Sequence, residues 1–116
     1  MLSSLYLQIL EIPGSSTNPL HPGWIDVQSY SRTISTPNDL VITAAMDKSI
    51  PGLLKYLASG KYLYKARLAI CDSLSGVETG GITLTNLKVS KVTESGSRTG
   101  QALVNYTLTS QTISTY

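Results

Sequence analysis

Phenylalanine is missing from this chain, cysteine, tryptophan and histidine occur once each, and only 14% of the residues are charged. Each shortage excludes something. Cys71 has no second thiol to pair with, so no intrachain disulfide can form, and a buried thiol in a strand is the expected role. His21, set between Leu20 and Pro22, lacks the sequence partners that a zinc site or a Ser-His-Asp triad needs. A structural or solvent-exposed ring follows, and no metal site. Glu11, Asp26, Asp39, Asp47, Asp72, Glu78 and Glu94 are scattered, with no paired spacing for acid–base work. Gly80-Gly81 lacks the strand-to-helix context of a phosphate loop and reads as a turn. No enzyme and no cofactor is predicted. A net charge of +2 is too small to imply nucleic acid. The N-terminal stretch from Met1 to Ile12 alternates and contains Gln8 and Glu11, so neither a signal peptide nor membrane insertion is expected. Folding in the cytoplasm is expected, with any export by a route other than a cleaved signal.

What the chain has is Ser, Thr, seven tyrosines and short alternating runs. Leu5, Leu7 and Ile9 place one apolar face on a first strand. The stretch from Pro13 to Pro19 is a loop, and a second strand runs from about Gly23 through Trp24 to Tyr30. Residues Ser35 to Asp39 read as a turn, and Leu40 to Thr43 as a short third strand. Further on, Tyr62, Tyr64, Ala66, Leu68 and Ile70 share one face; Lys61, Lys65 and Arg67 lie on the other with Leu63, Ala69 and Cys71. A loop is expected from Asp72 to Gly81. Ile82 and Leu84 are even-numbered but Leu87 and Val89 odd, so one face can hold all four only if a residue is inserted, and a β-bulge near Asn86 is predicted. A polar hairpin from Glu94 to Gly100 precedes the alternating Val104, Tyr106 and Leu108. Lys48, Lys55, Lys61, Lys65 and Arg67 read as solvated faces; a positive binding groove is the sharper alternative.

One segment is helical. Ser49 is a good N-cap, since its hydroxyl can accept from a free first-turn N–H, and Pro51 falls where a missing N–H costs nothing. Ile50, Leu53, Leu54 and Leu57 follow at i, i+3, i+4 and i+7, a predicted core face. Gly60 suits the left-handed position that stops the helix. One helix in an otherwise strand-rich chain of this length gives a single domain over residues 1–116, a small β-barrel with a flanking helix. Bulged strands would leave edges that have to be covered, and identical neighbours in a closed ring can cover them. Low charge agrees with a surface hidden by other copies.

The ordered motifs resemble the haemolysin-coregulated protein (Hcp) family of the bacterial type VI secretion system. Its His-x-Gly-x-Ile-x-Val pattern matches His21, Gly23, Ile25 and Val27. Its Asp-Lys-Ser-x-Pro-x-Leu helix start matches Asp47, Lys48, Ser49, Pro51 and Leu53. Gly60-Lys61 matches its helix end, Ala66 and Leu68 its next strand, and the run from Ile82 to Ser90 its bulged strand. The resemblance implies a mainly β fold: a distorted barrel of two packed antiparallel sheets with one short flanking helix. It also implies a homo-hexameric ring, rings stacked into a hollow inner tube, and a contractile sheath, a spike and effector proteins as partners. Two departures stand out. The loop between the second and third strands, long and Gly-rich in the family and a contact to the next ring, is only Ser35, Thr36, Pro37, Asn38 and Asp39 here. Ser110 stands where an apolar residue is common. The tube of a related contractile device or phage tail, or a stand-alone β-sandwich that binds a ligand through Trp24 and tyrosines, are the alternatives.

Overall fold

The computed structural model describes residues 3–35 and 38–116, in which the alternating runs pair into one antiparallel sheet closed on itself. The strands are β1 (Ser3–Ile9), β2 (Ile25–Thr33), β3 (Asn38–Ala45), β4 (Leu63–Asp72), β5 (Glu78–Ser95) and β6 (Leu103–Thr115), with α1 (Ile50–Ser59) between β3 and β4. Their order is β1-β2-β3-β6-β5-β4, closed because β1 pairs with both β2 and β4. The molecule is flattened, 38 × 37 × 22 Å, so opposite walls face each other as two packed layers. Between them lie Leu7, Ile9, Ile25, Leu40, Ile42, Leu68, Leu84 and Leu108, the inward members of alternating strands. A mainly β barrel with one short helix is therefore what the chain forms.

Closure corrects the expectation of exposed edges. Most strands have a partner on each side, and the one-sided flank left on β2 begins past Val27, where its ladder to β1 stops. Two expected turns are also strand. Asn38 and Asp39 belong to β3, opposite Ser110 and Thr109, and Thr109 Oγ1 donates to Asp39 Oδ1 at 2.9 Å. Of the expected Ser35–Asp39 turn, Thr36 and Pro37 lie outside the described residues. Gly80 and Gly81 sit in β5 opposite Ile70 and Ala69 rather than in a turn. Gly81 also exchanges two main-chain hydrogen bonds of 3.0 Å with Tyr116, whose ring occupies the space a Cβ would need.

The parity change in β5 is real, but the bulge predicted near Asn86 is absent. The pairs Leu63↔Leu87↔Ser110 and Lys65↔Thr85↔Thr112 flank Asn86 without a register shift. Instead all three strands change face together. Leu63 and Ala66 both point inward, as do Leu84 and Leu87, around Asn86 at φ 53°. Asparagine tolerates this left-handed conformation better than most residues. True register shifts fall between Ile70 and Cys71 and between Val89 and Lys91. Ser110 explains itself at this kink: it is 1% exposed, and its hydroxyl reaches the carbonyl of Thr85 at 2.9 Å.

The helix spans Ile50–Ser59 and stops at Gly60, φ 65°, whose N–H donates to the Tyr56 carbonyl at 3.0 Å. It packs against β5 and over Ile12, where a Cβ on Gly52 would come within 3.0 Å of Ile12 Cγ2. The predicted face needs one correction. Ile50 and Leu53 are buried and Leu57 partly so, but Leu54 is 42% exposed and Tyr56 takes its place against the core.

Candidate functional site

Within the longest connection, residues 10–24 between β1 and β2, residues 13–24 fold back over the outside of the barrel as a strap. It is a small hairpin in its own right: Gly14 N–H donates to Gly23 O at 2.8 Å, Ser16 N–H to Trp24 O at 2.9 Å, and Gly23 N–H to Ser16 O at 2.9 Å. Gly23 adopts φ 77° with open space around its missing Cβ, so conformation alone selects glycine there. The strap buries the outward residues Ala69 and Cys71 of β4, both at 0% exposure and outside the main core.

His21 is the plug. Its ring stacks on Tyr6 at 4.6 Å and meets the edge of Trp24 at 4.7 Å. Nδ1 faces Asn18 Oδ1 at 3.4 Å, and Nε2 faces Glu78 Oε1 at 3.4 Å and Cys71 Sγ at 3.8 Å. The Asn18 amide is oriented by Leu20 N–H, which donates to Oδ1 at 2.9 Å, and by its own Nδ2, which donates to Tyr6 Oη at 3.1 Å. The second Glu78 oxygen accepts from Arg67 Nη2 at 2.6 Å, and Arg67 Nε donates to Tyr116 Oη at 2.8 Å. The Arg67 guanidinium also lies 5.6 Å from the Trp24 ring centroid and 5.1 Å from that of Tyr116. Thus β1, the strap, β4, β5 and the last residue of the chain meet at one corner.

This corner contains a thiol, an imidazole and a carboxylate, yet its electrostatics oppose nucleophilic chemistry. Burial, then the Glu78 charge, push the Cys71 thiol up, away from the thiolate that attacks. Burial also raises Glu78, but hydrogen bonds from Tyr116, His21 and Arg67, with the Arg67 charge, outweigh it and hold the carboxyl below its usual range. Among the described residues no three His, Cys, Asp or Glu side chains are grouped to hold a metal ion. The arrangement is a lock that fastens the strap to the barrel.

A second clasp joins the strap to the helix. Ser15 N–H donates to Asp47 Oδ2 at 3.2 Å, Lys48 N–H to Ser15 Oγ at 3.2 Å, and Ser49 N–H to Asp47 Oδ1 at 2.8 Å. Ser49 does not cap as expected: its hydroxyl donates to Asp47 Oδ1 and accepts no first-turn N–H, so the carboxylate organises the helix entry. Burial and the nearby Asp47 charge push the Asp26 carboxyl up, against a hydrogen bond from Ser16.

The motif residues therefore sort by position. Ile25, Val27, Leu53, Ala66 and Leu68 are core; His21, Gly23 and Asp47 secure the strap; Ser49 is buried on the Asp47 carboxylate at the helix entry; Gly60 ends the helix. Pro51, Lys48 and Lys61 are exposed, the last donating its N–H to Ser59 Oγ at 3.3 Å. The structure brings together Tyr6, Trp24, Arg67, Glu78 and Tyr116, none of which the sequence had placed beside His21. Of the aromatic residues, Tyr6, Trp24 and Tyr116 are engaged at the corner around His21 and Arg67, Tyr106 is in the core, and Tyr62 lies under Lys88 Nζ at 5.9 Å. Among the described residues no helix is long and apolar enough to cross a membrane.

Residues 6–116 match the family model described as "Type VI secretion system effector, Hcp". The fold superimposes on Hcp1 from Salmonella typhimurium with a TM-score of 0.92 at 29% identity, covering 99% of this chain and 85% of that one. Hcp2 from the same organism gives 0.86 at 28% identity, covering 96% and 83%. A type VI secretion system effector from Yersinia pestis shares the fold at 18% identity, with a TM-score of 0.84 and coverage of 97% and 98%. No curated protein matches the chain.

Proposed function

Since the chain belongs to the Hcp family of the type VI secretion system, we propose that it is a structural subunit of the secretion tube: a homo-hexameric ring that stacks into a hollow conduit. The observation that carries this is the match over nearly the whole chain, in sequence and in fold. The surface supports it. Ile34, Tyr62, Tyr64 and Leu74 are each more than half exposed, and a ring and its stack would cover such residues. The partners in this reading are other copies, a contractile sheath, a spike and effectors carried in the lumen. In this reading the protein folds in the cytoplasm and is then secreted. Its contribution is mechanical: the closed barrel, locked strap and clasped helix make a rigid block that transmits force without unfolding.

The test is assembly state. The purified chain is expected to sediment several-fold heavier than 12.5 kDa and to appear as rings in negative stain. A monomer at every concentration would remove the tube reading.

A further inference from the structure

Beside the lock, the outer face of β4 carries a shallow depression lined by Gln8, Leu10, Lys65 and Arg67, about 190 Å³ in volume. Lys65 and Arg67 are alternate residues of one strand, so both point outward, with their Cα atoms roughly 7 Å apart. Gln8 stands directly opposite Arg67 on β1, and Thr83 and Thr85 stand opposite Arg67 and Lys65 on β5. Direct ladder partners share a face, so two cations lie among an amide and two hydroxyls, and no carboxylate lines the depression.

Arg67 is held unusually firmly for a surface cation. Glu78 takes its Nη2, Tyr116 takes its Nε, and two aromatic rings flank the guanidinium. Little side-chain entropy remains to be lost when its free Nη1 meets a ligand. Two of its five N–H bonds are used, and the pair left on Nη1 and Nη2 forms an end-on fork that fits the two oxygens of one carboxylate. An extended segment repeats its side chains on one face every second residue, the same spacing as Lys65 and Arg67.

We propose that this face binds an extended acidic segment of a partner protein, with carboxylates at alternate positions seated on Lys65 and Arg67 and an apolar neighbour against Leu10. The inference goes beyond the tube reading and does not require it.

The probe is a fluorescein-labelled peptide with glutamates at alternate positions, measured by anisotropy against the full chain, beside a glutamine version. The parent is expected to bind the acidic peptide and not the neutral one. Lys65→Glu is expected to weaken binding about tenfold or more, whereas Lys55→Glu on the helix, an equal change in net charge, leaves it unaltered. Equal loss in both variants would reduce the effect to general charge and overturn the site. Displacement by inorganic phosphate at matched ionic strength would replace the peptide with a small-anion site. If Lys65→Glu instead altered the sedimentation of the protein without peptide, the face would be a contact between copies, and the inference would fail. The peptide-binding outcomes do not depend on whether the parent forms rings.

Discussion

At the scale of single residues, the polar side chains were the least legible part of the chain. His21, Cys71 and Glu78 are far apart in sequence, and only the closed order of strands brings the strap back over β4 and β5. Cys71 and Glu78 are ladder partners across a register shift, which no local pattern encodes. The buried thiol and the structural imidazole could be expected from their rarity, but their shared corner with Arg67 and Tyr116 could not. Glu78 makes this lock sensitive to acid. Its folded pKa lies below the unfolded carboxylate value of about 4.3, so its contribution is fully present above that value and disappears as pH falls through the folded pKa. Glu78→Gln is therefore expected to cost about 1–2 kcal/mol at neutral pH, discounted for the partial exposure of Arg67. The gap between parent and variant denaturation midpoints should close as the buffer is taken below about pH 4. A gap that persists unchanged in acid would mean that shape, and not charge, holds the corner.

At the scale of elements, periodicity located the strands and the helix well because one face of each has to be buried, and burial writes itself into the spacing of apolar residues. It was weaker on which of two adjacent apolar residues turns inward. Leu53 and Leu54 both fit a helical stripe, but the helix lies over β5 and Ile12, and this orientation sends Leu54 toward solvent and brings Tyr56 inward. Leu53→Ala is accordingly expected to cost about 2–5 kcal/mol, a large share of a small domain's stability. Leu54→Ala should cost under about 1 kcal/mol, because the leucine still has much of its surface in water. Urea titration of the two variants beside the parent separates them, and equal losses would show that the helix sits rotated from this orientation. The kink at Asn86 carries the same lesson for strands. The change of parity was visible, but a bulge in one strand and a concerted turn of three leave the same trace in a single sequence.

At the scale of the whole molecule, closure of the barrel changes the argument for assembly. Open edges no longer compel a ring; what neighbours can use is the one-sided flank of β2 past Val27, the faces of the walls and the loops. Lateral contacts can draw on all of these. In the proposed tube the axial contacts rest on loops, and the connection that by the family resemblance reaches the next ring is shorter here than the sequence suggested, because Asn38 and Asp39 belong to β3 and only residues 34–37 join it to β2. A connection of four residues can bury little, and association has to overcome the loss of translational and rotational freedom before any of it counts. Rings are therefore expected to form readily and stack weakly, with tubes needing high concentration or a guiding sheath. Sedimentation across a wide concentration range should give a single ring-sized species when dilute and stacks only when concentrated. Lengthening the β2–β3 connection with a longer Gly-rich loop should then move stacking to lower concentration, since it restores reach without touching the lateral contacts. Long tubes already present at low micromolar protein, or no response to the longer loop, would place the axial contact elsewhere on the barrel.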